Sequence, residues 1–387
     1  MVAREKVMAT LATGGTLQSV AQVSPLRLRR GTPLTAGPPL RRILIRGTNW
    51  IGDAIMTLPA VAAIRNAFPE AFLAILAKPW VAEIYRLQPQ LNEVISFESP
   101  GKHAGLRGKV LLARRLHHES FDAAILLQNA IEAAIIAYLA GIPIRAGYDT
   151  DGRTPLLTHP VHRSEAIRTV HQVHYYREMV RALGCTPPPG PLPAPLLRLG
   201  PDMADFGTEL LKRLGIAPDA MLVGIAPGAT YGPAKRWFPA RFAAVVDRLT
   251  ASFPAQILLF GSAGDADSTA AVAAACRRRP IDLAGRTDLR AAIALIARCA
   301  LFLANDSGLM HVAGALGVPT VAVFGSTDPV TTGPLGERSV VVRRDIACSP
   351  CLRKSCRRGY TCLELIDVEQ VWRRAARLLQ EAESQRG

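Results

Sequence analysis

The chain has 387 residues, 49% of them hydrophobic and 20% charged, with a formal net charge of +15. That length implies two domains rather than one core, and the composition excludes disordered and fibrous classes. No apolar run reaches membrane-spanning length, since "AAIIAYLAGIPI" is broken by Gly141 and Pro143, and no secretory signal opens the chain.

Residues 1–41 are rich in Pro, Gly, Ser and Arg and read as a flexible basic extension. Residues 1–42 carry seven positive charges and one negative, a net +6. From residue 42, short apolar runs alternate with amphipathic stretches, the pattern of parallel α/β layers. "RILIRG", "FLAILAK", "EVISF" and "AAILLQ" are strands, and "GDAIMTLPAVAAIRNAF" is a helix. At the junction "RGTNWIGDAIMTLP", Gly47 and Gly52 bracket a turn and Asp53 opens the helix. An aspartate there is either a cap or a general base facing a cleft.

Asp149 and Asp151 in "YDTDGR" form a D-x-D that reads as a turn rather than a metal site. His171 and His174 have helical spacing with no carboxylate partner and read as an exposed helix face. The helix "HYYREMVRALG" then meets "CTPPPGPLPAPLL", Cys185 to Leu197, which cannot continue a helix and suits an interdomain linker. Residues 42–198 are therefore an N-terminal Rossmann-like domain.

Residues 199–365 restart the alternation. The strands are "MLVGIA", "QILLFGS", "LFLAND", "TVAVFG" and "SVVVR", with helices over 239–252, 265–278, 288–298 and 308–316. Residues 366–387 form a last helix that Asp367 caps, with Val368, Val371, Trp372, Ala375, Leu378 and Leu379 on one face. Two such domains place a ligand in a cleft at the carboxyl ends of both sheets.

Two loops of the second domain carry anion chemistry. In "PGATYGPAKRW", Gly228 and Gly232 allow close backbone approach, and Lys235 and Arg236 supply charges for a departing diphosphate. The plainer alternative is a solvated turn with Trp237 tucked into the domain. In "NDSGLMH", Asp306, Ser307 and Gly308 lead into a helix whose free amides form an anion site, with His311 one turn in. Cys348, Cys351, Cys356 and Cys362 follow as C-x2-C-x4-C-x5-C, in a segment, 343–358, with six positive charges and one negative. They are either reduced thiols in a structured loop or thiolates around zinc or an iron-sulfur cluster. A structural metal is not assigned.

Together, "RGTNWIGDAIMTLPAVAAIR", "PGATYGPAKRW", "NDSGLMHVAGALGVPTVAVFGSTDP" and the late cysteines resemble glycosyltransferase family 9, the ADP-heptose:lipopolysaccharide heptosyltransferases. Within it, they look most like the members that add the second heptose. The resemblance runs from about residue 42 to the end.

It implies a GT-B fold, with an N-terminal acceptor domain, a C-terminal nucleotide-sugar domain and a last helix crossing back onto the first. It also implies transfer of L-glycero-D-manno-heptose from ADP-heptose to heptosyl-Kdo2-lipid A, with inversion and without a required cofactor. Asp53 matches the base and Lys235 the lysine at the pyrophosphate, with Arg236 beside it. Gly52 and Gly228 belong to the same binding motifs, and Asp306, Ser307, Gly308 and His311 match the donor loop. Some relatives place a glutamate after the "LFGS" strand, where this chain offers Asp265 and Asp267.

The expected location is cytoplasmic, peripheral at the inner face of the cytoplasmic membrane, with no nucleic-acid partner. Alternatives are a family transferase for another core position or sugar nucleotide, and a nucleotide-sugar epimerase on the same fold.

Overall fold

The computed structural model describes residues 25–188, 192 and 196–384. It divides into two compact units between Leu192 and Pro193, inside the proline-rich segment.

The first unit holds β1 (Arg42–Arg46), β2 (Phe72–Ala77), β3 (Glu93–Ser96), β4 (Ala123–Leu126), β5 (Ile144–Tyr148) and β6 (His159–Val161). They form one parallel sheet in the order β3-β2-β1-β4-β5-β6. The middle strands are continuous apolar runs because helices cover both faces of such a sheet. The chain builds outward from β1 to β3, then returns to lay β4 on the other side of β1. That reversal opens a crevice at the carboxyl ends of β1 and β4. The helix Ile51–Ala67 follows β1 and packs on the helix Gln172–Ala182.

Part of the expected flexible extension is not flexible: it completes the edge of this sheet. Leu28 bridges Val161, Arg29 N donates to Pro160 O (2.8 Å), and His162 N donates to Arg27 O (2.9 Å). Leu34 is buried and its N–H donates to Leu183 O at 2.8 Å. As the last strand of the sheet, β6 has unpaired backbone groups on one side, and this segment satisfies some of them. Residues 1–24 of the extension lie outside the described residues.

The second unit holds β7 (Met221–Ala226), β8 (Ala255–Leu259), β9 (Ile281–Asp282), β10 (Leu301–Asn305), β11 (Thr320–Val323) and β12 (Ser339–Val342). They form a parallel sheet ordered β12-β11-β10-β7-β8-β9, with its reversal between β7 and β10.

The last helix, Val368–Ser384, is capped as expected: Gln370 N donates to Asp367 Oδ1 at 2.7 Å. Its Val371, Ala375, Leu378 and Leu379 join the core formed by β7, β10, β11 and the helix Pro239–Ser252. This apolar face is thus consumed within the second unit's own core. Among the described residues, no helix is long and apolar enough to cross a membrane.

Candidate functional site

Three loops meet at the carboxyl ends of β7, β10 and β11, beside the reversal of the second sheet. Asn305, fully buried at the end of β10, ties two of them together. Its Nδ2 donates to Pro227 O at 2.7 Å, and its Oδ1 accepts from Trp237 N at 3.0 Å. The loop after β7 is thus anchored at both ends. Trp237 is fully buried against Phe242 and donates through Nε1 to Ile366 O at 3.2 Å. The tucked tryptophan and the basic pair prove compatible: burial of Trp237 fixes the residues before it.

Lys235 Nζ lies 2.6 Å from Asp306 Oδ2, and Thr327 Oγ1 donates to the same oxygen at 2.6 Å. Both charged side chains are largely buried, 14% and 4% exposed. Lys235 also lies over the Tyr231 ring, 4.8 Å from its centroid. Arg236 is spent on its own loop, donating to Ala229 O at 3.2 and 3.1 Å. Ser307 N-caps the helix Gly308–Ala315 without a side-chain cap bond, and His311 is buried within that helix. Among the described residues, the buried hydroxyls of Ser307 and Ser326 have no hydrogen-bond partner. A lysine, two unsatisfied hydroxyls and a helix start converge on one place, an arrangement suited to a phosphate.

The glycines of the loop serve packing more than ligand approach. A Cβ on Gly228 would stand 2.2 Å from Asp265 Oδ1, so the glycine makes room for that carboxylate. Asp265 in turn accepts from Ser262 N and Oγ at 3.0 and 2.7 Å, closing a capping box. Gly232 has φ +148°, and a Cβ there would meet Lys354 O at 2.5 Å.

That contact gives the cysteine segment a role the sequence did not reveal. Lys354 O accepts from Ala234 N (3.0 Å), and Leu352 O accepts from the Tyr231 hydroxyl (2.6 Å). Cys351 N and Leu352 N both donate to Ser326 O, at 3.0 and 2.8 Å. The segment is a brace behind the loops after β7 and β11.

Its four cysteines line one cavity of about 220 Å³, and all are free thiols. Burial pushes the Cys362 thiol up. Among the described residues, no group of three or more His, Cys, Asp or Glu side chains is arranged to hold a metal.

In the first unit, Asp53 is the third residue of the helix after β1, and Trp50, the N-cap, makes no side-chain cap bond. Buried Gly52 precedes Asp53. The Tyr176 hydroxyl is held well above its usual range, by burial first and then by the Asp53 charge.

Arg46, missed in the sequence because it closes an apolar strand, is 2% exposed. It donates through Nη1 to the carbonyls of Gly47 and Leu76, and through Nη2 to Asn49 Oδ1 at 2.9 Å. Burial lowers its pKa to about 10. Trp80 Nε1 donates to Asn49 O at 2.8 Å, so the turn before Asp53 is held from two sides.

The discounted motifs have structural roles. Asp149 accepts from Arg163 N (2.8 Å) and pairs with Arg29 and His162, while Asp151 occupies a left-handed turn at φ +55°. His171 is not on an exposed face. It is buried and caps the helix Gln172–Ala182, its Nδ1 accepting from Val173 N at 3.3 Å. Burial lowers the His174 pKa to about 4, with the neighbouring His171 adding to the effect.

A profile of glycosyltransferase family 9 (heptosyltransferase) matches residues 110–361. The chain is 31% identical over 313 residues to lipopolysaccharide heptosyltransferase 2 of Escherichia coli K12, covering 78% of this chain and 88% of that one. The chain belongs to glycosyltransferase family 9.

This glycosyltransferase is also 30% identical to lipooligosaccharide heptosyltransferase 2 of Haemophilus influenzae, covering 84% of this chain and 95% of that one. Among solved structures, it resembles E. coli ADP-heptose LPS heptosyltransferase II, with a TM-score of 0.75 at 28% identity, over 88% of this chain and 99% of that one. A family-9 glycosyltransferase of Veillonella parvula matches with a TM-score of 0.78 at 25% identity, over 88% and 98%. The two parallel sheets are therefore those of a GT-B enzyme.

Proposed function

We propose that this enzyme moves heptose from ADP-heptose to the heptose already carried by Kdo2–lipid A, with inversion and without a cofactor. The Lys235–Asp306–Thr327 cluster, with the two unsatisfied serine hydroxyls beside it, carries the reading. Asp53 takes the proton of the acceptor hydroxyl as its oxygen attacks the anomeric carbon. The bond from that carbon to the β-phosphate oxygen breaks, and ADP leaves with the bonding pair. Lys235, the Ser307 and Ser326 hydroxyls and the amides opening the helix Gly308–Ala315 stabilise the charge that gathers on the diphosphate. Arg236 keeps the loop in shape through Ala229. Donor and acceptor duties thus fall on separate units of the chain.

Mass spectrometry of products with ADP-heptose and either Kdo2–lipid A or its monoheptosylated form tests the assignment. Heptose added only to the monoheptosylated acceptor is the expected result, and transfer to the unheptosylated acceptor would make this a first-heptose enzyme.

In this reading the enzyme is cytoplasmic and docks at the inner membrane face, with no nucleic-acid partner. The basic segment 343–358, where Leu352 is 60% exposed, supports electrostatic docking on anionic lipid. Equal sedimentation with neutral and anionic liposomes would remove that part.

A further inference from the structure

The carboxyl ends of β1 to β3 hold more buried positive charge than the fold needs. Lys78, directly after β2, is 6% exposed and Arg46 is 2% exposed. Among the described residues, neither has a carboxylate partner. The Lys78 ammonium donates to Ser99 O, and the Arg46 guanidinium to Gly47 O, Leu76 O and Asn49 Oδ1. Carbonyl oxygens take some of the hydrogens without neutralising the charge, and among the described residues the buried Arg46 Nε has no hydrogen-bond partner. The acidic group acting on both is Glu132, and it is already bound to Lys109 at 2.9 Å. Three cations therefore share one carboxylate.

Burying cations without counter-charge is costly: burial first, and then the Arg46 charge, lowers the Lys78 pKa, and an anionic ligand would supply the missing partner. Aromatic surfaces frame the ammonium. Lys78 Nζ lies 3.9 Å from the Phe97 centroid and 5.7 Å from the Trp80 centroid. Phe97 is fully buried, but Trp80 and Trp50 are 47% and 57% exposed. An exposed indole beside a cation is a surface on which a sugar ring can lie while its acidic group meets the ammonium. Trp80 Nε1 and Arg46 both hold Asn49, four residues before Asp53, so this cluster and the proposed base share one turn.

We infer that Lys78, with Arg46 behind it and Trp80 beside it, forms a subsite for the acidic sugar of the acceptor, binding its carboxylate or phosphate. This rests on the proposed transfer to a lipopolysaccharide core. Lys78 is a specificity residue here, and Arg46 positions the turn and adds to the field.

Lys78→Met and Lys78→Arg provide the test, read two ways. In thermal unfolding with ADP saturating the donor site and no acceptor present, inorganic phosphate stabilises the wild type beyond sodium chloride of equal ionic strength. Lys78→Met loses that difference and Lys78→Arg keeps most of it. In initial rates at saturating ADP-heptose, Lys78→Met raises the acceptor KM roughly ten- to hundredfold, the worth of a charge-assisted hydrogen bond, while the KM for ADP-heptose holds.

Acceptors with the sugar carboxyl reduced to an alcohol, or with phosphates removed, identify the source of the charge. The one that matters binds wild type as weakly as intact acceptor binds Lys78→Met. A phosphate effect equal in wild type and Lys78→Met, with unchanged acceptor KM, overturns the subsite. The phosphate arm needs no acceptor, so it stands apart from any failure of the proposed transfer.

Discussion

Lys235 and Asp306 form a pair whose worth can be separated from its chemistry. At 2.6 Å, two unit charges attract by about 6 kcal/mol at an effective dielectric of 20. Desolvating both groups offsets most of that, so a net coupling of about 2 kcal/mol remains. Lys235→Met strands the Asp306 carboxylate, which among the described residues keeps the Thr327 hydroxyl alone, and Asp306→Asn strands the ammonium. Each single change should cost about 3 kcal/mol, and the double change about 4 rather than 6.

Urea unfolding followed by tryptophan fluorescence measures this, because Trp237 is buried two residues from Lys235. Strict additivity, within about 0.5 kcal/mol, would show that the pair contributes nothing. Transfer rates should behave differently. Lys235→Met is expected to slow turnover by about 100- to 1,000-fold, and adding Asp306→Asn should not restore it. Recovery of rate in the double variant would mean Lys235 serves only to hold Asp306.

Asp53→Asn should abolish transfer while calorimetry shows ADP binding unchanged, and residual transfer near wild type would remove Asp53 as the base. Gly228→Ala drives a methyl into Asp265 and should destabilise the second unit by about 1–3 kcal/mol. Adding Asp265→Ala should relieve part of that cost, and no relief would refute the contact.

His174 titrates near 4 rather than 6.5, so the unfolded chain binds its proton first. Stability should fall as pH drops from about 6.5 to 4, by at most about 3.4 kcal/mol. His174→Gln should flatten unfolding midpoints over that window, and an unchanged slope would place the acid sensitivity elsewhere.

Much of this was legible in the sequence because glycine-rich junctions after apolar runs fall where strands end. "RGTNWIGD", "PGATYGPAKRW" and "NDSG" follow β1, β7 and β10, the strands beside the two reversals. What escaped notice depends on long-range contact. Asn305 reads as an ordinary strand end until β10 is laid next to β7. Arg46 and Lys78 sit in or just after apolar strands, and nothing local says that, among the described residues, no carboxylate pairs with them. The strand β6 is three residues long with a central proline, so it carries no alternation to read. The cysteine spacing suggested ligands, whereas the backbone around it does the structural work.

That brace has a consequence for how the enzyme is made. The Tyr231 hydroxyl waits for the carbonyl of a residue 121 positions later, and Trp237 for one 129 positions later. At about 5–20 residues per second, ribosomes deliver that far end roughly 6 to 26 s after the loop emerges. Donor-binding competence is therefore among the last properties a translating chain acquires, and a fragment stopped before residue 350 would carry Lys235 and the rest of the phosphate loop with nothing behind them.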